Sequence, residues 1–233
     1  MTAATSPNML CLAYFRRNPD IGAAEIGSAR TEILADLAEI DRFDILDGTA
    51  RPAAFTMPGE MELTSPDAPE LPYDGAIVLQ GPDSAVRKAL GGRLASLMAV
   101  LHPYRVSEKV IFDKPAEAGS PDQAIRFLLS VKWFEDLPES AVRRSWQVHE
   151  ALAERVHVGS NRYVQWWVHE SLDPGAPELG GIVEMGFPDE KALVTGFFDS
   201  ERGEMEIVQD SAHFIAGGHP RVFVTPNPYR RTR

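Results

Sequence analysis

Trp146, His149, Tyr163 and Gln165 are the residues whose types and spacing suit chemistry. Trp146 and His149 stand three apart, which puts both on one face of a helix. Val142, Ala153 and Val156 continue that stripe, so His149 sits in the middle of an apolar surface. Gly159 and Ser160 end the helix, and a β-prone run from Arg162 to Glu170 follows. Alternation sends Tyr163, Gln165, Trp167 and His169 to one face of that run, and Val164, Trp166 and Val168 to the other. A helix offering Trp and His, over a strand offering Tyr, Gln and Trp, can wall a small pocket. His149 is the candidate general base, because its reference pKa lies near neutrality. Tyr163 is the candidate donor to a developing enolate or phenolate oxygen. Gln165 could orient a substrate carbonyl, and Trp146 and Trp167 could stack on an aromatic ring.

Each of these has a plainer reading: a satisfied core histidine, a half-buried strand tyrosine, a surface glutamine and core tryptophans. Asp210 and His213 also stand three apart, as a proton-shuttling pair or as a pair on a helix surface. His157, at the helix C-terminus, reads as a cation favoured by the dipole. His169 lies near a strand end and reads as solvated. His102 and His219, each before a proline, read as turn residues.

The elements that must position these groups come in a repeating order. Met9 to Phe15 reads as a buried strand, and Ala23 to Ile40 as a helix with Ile26, Ile33, Leu37 and Ile40 on one face. Phe43 to Phe55 is β-like but broken at Gly48 and Pro52. Met57 to Pro72 reads as a loop, and Asp74 to Gln80 as a strand. A second helix opens at Gly81-Pro82-Asp83-Ser84 and reaches about Leu101. Tyr104 to Phe112 is a strand. Then the order starts again: strand Ile125–Trp133, a helix from Pro138, strand Arg162–Glu170, a Pro/Gly loop, and strand Gly181–Phe187. Asp189 to Asp199 and, after a break at Gly203, Glu204 to Ile215 supply helix; Arg221 to Pro226 is the last strand.

The second half repeats the first at an offset of about 116 residues. Two β-α-β-β-α-β units predict an α+β fold of tandem ferredoxin-like repeats, packed face to face as a pseudo-dimeric α+β barrel in one chain. Residues 1–113 are expected to form a scaffold half, 114–123 a linker, 124–227 the half carrying the site, and 228–233 a tail. The offset sets His149 opposite Ile33. A helix packs well without an imidazole there, and an unpartnered buried polar ring costs about 1–3 kcal/mol. The second half therefore carries something extra.

Composition narrows the partners. The net charge is −11, from 23 basic and 34 acidic residues, which disfavours nucleic acid and anionic membranes. A single cysteine, Cys11, allows neither an intrachain disulfide nor a multi-cysteine zinc site. No apolar run approaches a membrane span and the start lacks a signal pattern, so a cytoplasmic protein is expected. No nucleotide-binding glycine motif and no H-E-x-x-H run appears, so neither a nucleotide nor a bound metal is expected.

The series Trp146-x-x-His149, Arg162-Tyr163-x-Gln165, Phe197-Phe198-Asp199-Ser200 and Asp210-x-x-His213-Phe214-Ile215 resembles the EthD-like proteins of the dimeric α+β barrel superfamily. The resemblance covers about Gln123 to Pro226; the first half matches only in element order. It implies a cofactor-independent enzyme with a hydrophobic, aromatic or polyketide-like substrate, in which His149 and Tyr163 handle protons. Lyase, dehydratase, cyclase and oxygenase outcomes share that opening step. Two alternatives stand beside it: a non-catalytic small-molecule-binding accessory protein, and a haem enzyme with one axial histidine in the second half. The chain is expected as a monomer or a homodimer, since the two halves already cover each other.

Overall fold

The computed structural model describes residues 8–21, 32–33, 35–48, 73–114, 124–218, 222–224 and 231–232. The apolar run near the start forms β1 (Asn8–Arg17). Residues 32–33 and 35–36 are helical, and 37–39 form a turn where the helix was expected to continue to Ile40; residues 23–31 and 34 of that helix, the loop Met57–Pro72 and nearly all of the expected linker lie outside the described residues. β2 (Arg42–Asp47) and β3 (Gly75–Pro82) follow. Then come α1 (Asp83–Gly91), α2 (Arg93–Ser96) and β4 (Met98–Asp113).

The second half holds β5 (Ile125–Trp133), α3 (Glu139–Val156), β6 (Arg162–Ser171) and β7 (Gly181–Phe187). It continues with α4 (Glu190–Gly196), α5 (Glu201–Ser211), β8 (Ile215–Gly218) and β9 (Val222–Val224). A two-residue strand, β10 (Arg231–Thr232), pairs with β2 at Phe43 and Arg42. That pairing lies inside the stretch expected to be tail.

The strands form one antiparallel sheet in the order β10-β2-β3-β1-β4-β6-β7-β5-β8, with β9 also on β5. Gly48, just after β2, bridges Val224 of β9, so the two ends of the sheet meet. The fold is the tandem ferredoxin-like barrel. β4 spans both halves: residues up to Arg105 pair with β1, and Tyr104 to Asp113 pair with β6.

Three cores result. The barrel interior takes one face of each strand: Leu12 and Tyr14 of β1, Val78 of β3, Tyr104 of β4, Leu128 of β5 and Trp166 of β6. Tyr14 Oη and Ser130 Oγ meet there at 2.8 Å, from positions 116 residues apart. They are counterparts under the sequence offset, so the repeat seen in the chain is a repeat in space. The opposite faces pack against helices. In the first half Cys11, Ala13, Phe15, Ile77 and Leu79 meet Leu37, Ile40 and Val86. In the second, Phe127, Tyr163, Trp167 and Met185 meet Val142, Trp146, Ala153 and Val156.

Three boundaries differ from expectation for local reasons. The helix expected to reach Leu101 stops at Gly91–Gly92, and Met98–Leu101 belongs to β4. Helix resumes after the glycines only as α2, to Ser96; helix and strand periodicity both fit the apolar run beyond it, and pairing of Met98, Val100 and Leu101 with Arg17, Arg16 and Phe15 of β1 draws it into the sheet. Gly203 does not break a helix but lies inside α5, because the Ser200 side chain caps the helix by accepting from Gly203 N at 3.1 Å. A Cβ at position 203 would come within 1.9 Å of Asp199 Oδ1 and would push that carboxylate aside. Ile215, expected in a helix, starts β8 instead.

Candidate active site

α3 positions the nominated helix residues. Pro138 precedes its first turn, Glu139 adds a favourable charge to the N-terminal dipole, and His157 and Gly159 follow its end. Its buried stripe is Val142, Trp146, His149, Ala153 and Val156, as the periodicity requires. β6 faces it with Tyr163 and Trp167 in the same core, and with buried Gln165 between them.

His149 is 6% exposed, and its Nδ1 lies 2.7 Å from Asp210 Oδ2 on α5. The carboxylate accepts, so Nδ1 carries the proton and Nε2 holds the free lone pair. Phe214 covers the ring edge-on at 5.7 Å. Burial lowers the pKa of His149, and the bond to Asp210 opposes that shift only in part. The imidazole is therefore neutral at pH 7 and oriented by a carboxylate, which is the state a general base requires.

A second chain of polar groups runs beside it. With its nitrogen turned toward Glu150, the Gln165 amide donates to Glu150 Oε1 at 3.1 Å and accepts from Trp146 Nε1 at 3.0 Å. Lys109 Nζ lies 2.5 and 2.7 Å from the two Glu150 oxygens. Tyr163 stacks on Phe112 at 5.9 Å. Burial raises the Tyr163 pKa, against hydrogen bonds with Gln165 and Trp146, so its phenol stays protonated and serves as a donor or relay, not as a base. Lys109 and Glu150 were not singled out in the sequence. Their partners come from three separate elements, and no spacing rule connects them.

Trp146 and Trp167 belong to an aromatic group with Phe214 and with Trp133, which the sequence reading placed only at a strand end. Trp133 contacts Trp146 at 4.8 Å, Trp167 at 5.5 Å and Phe214 at 6.0 Å. Trp133 lies flat on the Gly180–Gly181 backbone: a Cβ at Gly180 would come within 2.3 Å of its Cδ1. Beside this group a groove of about 320 Å³ is lined by residues that include Trp133, Phe134, Leu137, Val142 and Trp167. Of the nominated site residues only Trp167 lines it. Val142 to His149 is seven residues, about 10 Å of helix rise, so the imidazole lies deeper along α3 than the groove does.

The other histidines fall into place individually. His213 is exposed and lies beyond the end of α5; the Asp210 carboxylate is taken by His149 across the helix interface, not by His213. His157 is buried, donates through Nδ1 to the Phe197 carbonyl, and has its pKa pushed down to about 4 by burial. It is a neutral core residue rather than the expected dipole-stabilised cation. His102 lies within β4, not in a turn, and its Nδ1 meets Tyr73 Oη at 2.7 Å. His169 is exposed near the end of β6, with Nε2 at 3.1 Å from Ser107 Oγ. His219 lies outside the described residues. Among the described residues no cluster of three His, Cys, Asp or Glu could hold a metal ion. No described helix is long and apolar enough to cross a membrane.

No family model matches the sequence, and no curated protein matches it. Solved structures do match the fold. One is titled an "anthrone oxidase-like protein": TM-score 0.60, 10% identity, covering 96% of this chain and 92% of that one. Another, from Fusobacterium nucleatum, is titled a "Putative monooxygenase": TM-score 0.55, 9% identity, covering 99% and 96%. A third is titled a "Putative Chlorite dismutase": TM-score 0.51, 10% identity, covering 94% of each chain. At these identities the likeness establishes what the element order had implied: this chain has the architecture of the α+β barrel proteins.

Proposed function

We propose that the chain is an oxygenase-type enzyme that acts without a cofactor on a hydrophobic aromatic ketone or phenol. The observation that carries this reading is the buried pair His149 Nδ1–Asp210 Oδ2 at 2.7 Å. Nε2 of His149 removes a proton alpha to a carbonyl or from a phenol, and Asp210 holds the ring and stabilises the imidazolium. Tyr163 donates to the oxygen on which charge develops. The resulting carbanion or phenolate is electron-rich enough for dioxygen to oxidise. In the case of a methylene carbon, one oxygen atom becomes the new carbonyl and the other leaves as water. The resemblance to EthD-like proteins supports the assignment through His149, Tyr163, Gln165 and Asp210. Two fold relatives, one named a monooxygenase and one anthrone oxidase-like, favour the oxygenase outcome over lyase, dehydratase or cyclase.

The test is oxygen uptake with anthrone-type ketones and naphthols. His149→Ala should lower the rate by about 10²–10⁴-fold, the usual contribution of a general base, with the melting midpoint nearly kept. Undiminished uptake in that variant ends the proposal.

One observation favours a second reading, a non-catalytic binding protein: the groove stops at Trp167 and Val142 and does not reach His149. Saturable binding of the same compounds, with no turnover in the wild type, would select it. A haem enzyme fits less well. Among the described residues Phe214 covers the His149 ring and three tryptophans pack in the adjoining layer, so any ligand at Nε2 must displace part of this cover, and a macrocycle must displace more of it than a small aromatic molecule.

A further inference from the structure

The Gln165 amide can face either way, because exchanging its oxygen for its NH2 hardly alters its shape. Two residues one turn apart on α3 remove that freedom. The indole N–H of Trp146 can only donate, and it takes the amide oxygen at 3.0 Å; the Glu150 carboxylate accepts the amide nitrogen at 3.1 Å. The reverse orientation sets donor against donor and acceptor against acceptor. Gln165 is buried, so that mismatch costs the lost bonds outright.

Glu150 is itself held from the first half of the chain. Lys109 of β4 lies directly across from Gln165 in the register with β6. Its Nζ reaches Glu150 Oε1, the same oxygen that receives the amide. The Lys109 side chain is 54% exposed and that of Glu150 17%, while Gln165 and Tyr163 are buried. The series thus runs from solvent inward to the phenol. Tyr163 hydrogen bonds with both Gln165 and Trp146. The way the amide faces therefore decides whether oxygen or NH2 stands beside the phenol.

We propose that Glu150 is a positioning residue: anchored by Lys109, it locks the Gln165 amide in one orientation and so aims the Tyr163 hydroxyl at the substrate oxygen. Glu150 acts through Gln165 and touches no reacting atom. The kinetic consequence rests on the reading of Tyr163 as the donor in an oxygen-consuming enzyme; the locked amide does not.

Two measurements on the intact protein keep these apart. The chain has four tryptophans, so a proton–nitrogen spectrum holds four indole N–H signals, and Trp146→Phe identifies the one from Trp146. Glu150→Leu should move that signal upfield and speed its hydrogen exchange by about 3–10-fold, the worth of one hydrogen bond. Glu150→Gln keeps an acceptor in place and should leave it near its wild-type position. Oxygen uptake reads the consequence. Glu150→Leu should lower kcat by about 10–10²-fold, the cost of a misaimed group, with KM little changed. In a Gln165→Leu background it should lower kcat no further, because the residue it acts through is gone. A Trp146 signal unmoved by Glu150→Leu, or losses that multiply in the double variant, would overturn the inference. A wild type that consumes no oxygen ends the functional reading alone, and the indole signals still decide the locked amide.

Discussion

The two helix–sheet layers of this molecule have the same frame and different fillings. Strand register makes the correspondence residue by residue. Phe43 pairs with Leu79, which pairs with Cys11; Tyr163 pairs with Met185, which pairs with Phe127. Cys11 and Phe127 are 116 residues apart, so Phe43 corresponds to Tyr163 and Ile45 to Gln165. The helix offset sets Ile33 against His149. Ile33, Phe43 and Ile45 all pack against the core of the first half. Where one layer has three hydrocarbon side chains, the other has an imidazole, a phenol and an amide, each with a hydrogen-bond partner. A fold that is stable with hydrocarbon at these positions does not require polar groups there for packing. The polar set of the second layer is therefore extra to what packing requires, and it is the set on which the proposed proton transfer rests.

The largest way to break the comparison is functional. Replacing His149 by Ile, Tyr163 by Phe and Gln165 by Ile gives the second layer the character of the first. Oxygen uptake should fall by at least about 10²-fold. Chemical denaturation should show a loss of about 1–3 kcal/mol, because Asp210, Glu150 and Trp146 Nε1 each lose a partner while the new side chains pack as hydrocarbon. A collapse of stability would mean that the polar groups hold the layer together.

Trp146→Ala tests the aromatic side of the same contrast. It removes a large buried ring and a donor to Gln165, and should cost about 3–5 kcal/mol, read from denaturant midpoints. A third test uses His157, which has no titration left near neutrality because burial pushes it to about 4. Its folded pKa lies below its unfolded value, so acid favours the unfolded chain. Stability should fall as pH drops from about 6.5 to about 4, by roughly 3 kcal/mol from this residue. His157→Asn keeps a donor for the Phe197 carbonyl and should flatten that part of the stability–pH curve. The smallest effect is at the centre of the barrel. Tyr14→Phe and Ser130→Ala should each cost about 1 kcal/mol, with a double-mutant cycle showing that the two losses are shared.

Much of this was legible in the sequence where a periodic pattern met a stop signal. The α3 stripe with Gly159 behind it, and the alternation of β6, placed Trp146, His149, Tyr163 and Gln165 in one layer before any coordinates. What stayed hidden depends on contacts between distant elements. The spacing of Asp210 and His213 says that they share a face, not which helix lies across it, so the link from Asp210 to His149 over 61 residues had no local sign. His157 looked like a dipole-stabilised cation because nothing near it in sequence announces Phe197 and Phe198, whose rings sit 5.0 and 5.6 Å from its own. The length of β4 was lost for another reason: the run ahead of His102 suits helix and strand alike.

β4 also sets a limit on dissecting the molecule. Its last ten residues are paired with β6 at nine registered positions, while its first half is committed to β1. A cut after Asp113 would not release two self-sufficient modules. The carboxyl-terminal fragment would carry β6 as a bare row of backbone donors and acceptors, open to the strand of any neighbour. Each piece would tend to clump when made alone and to recover only when the other is supplied.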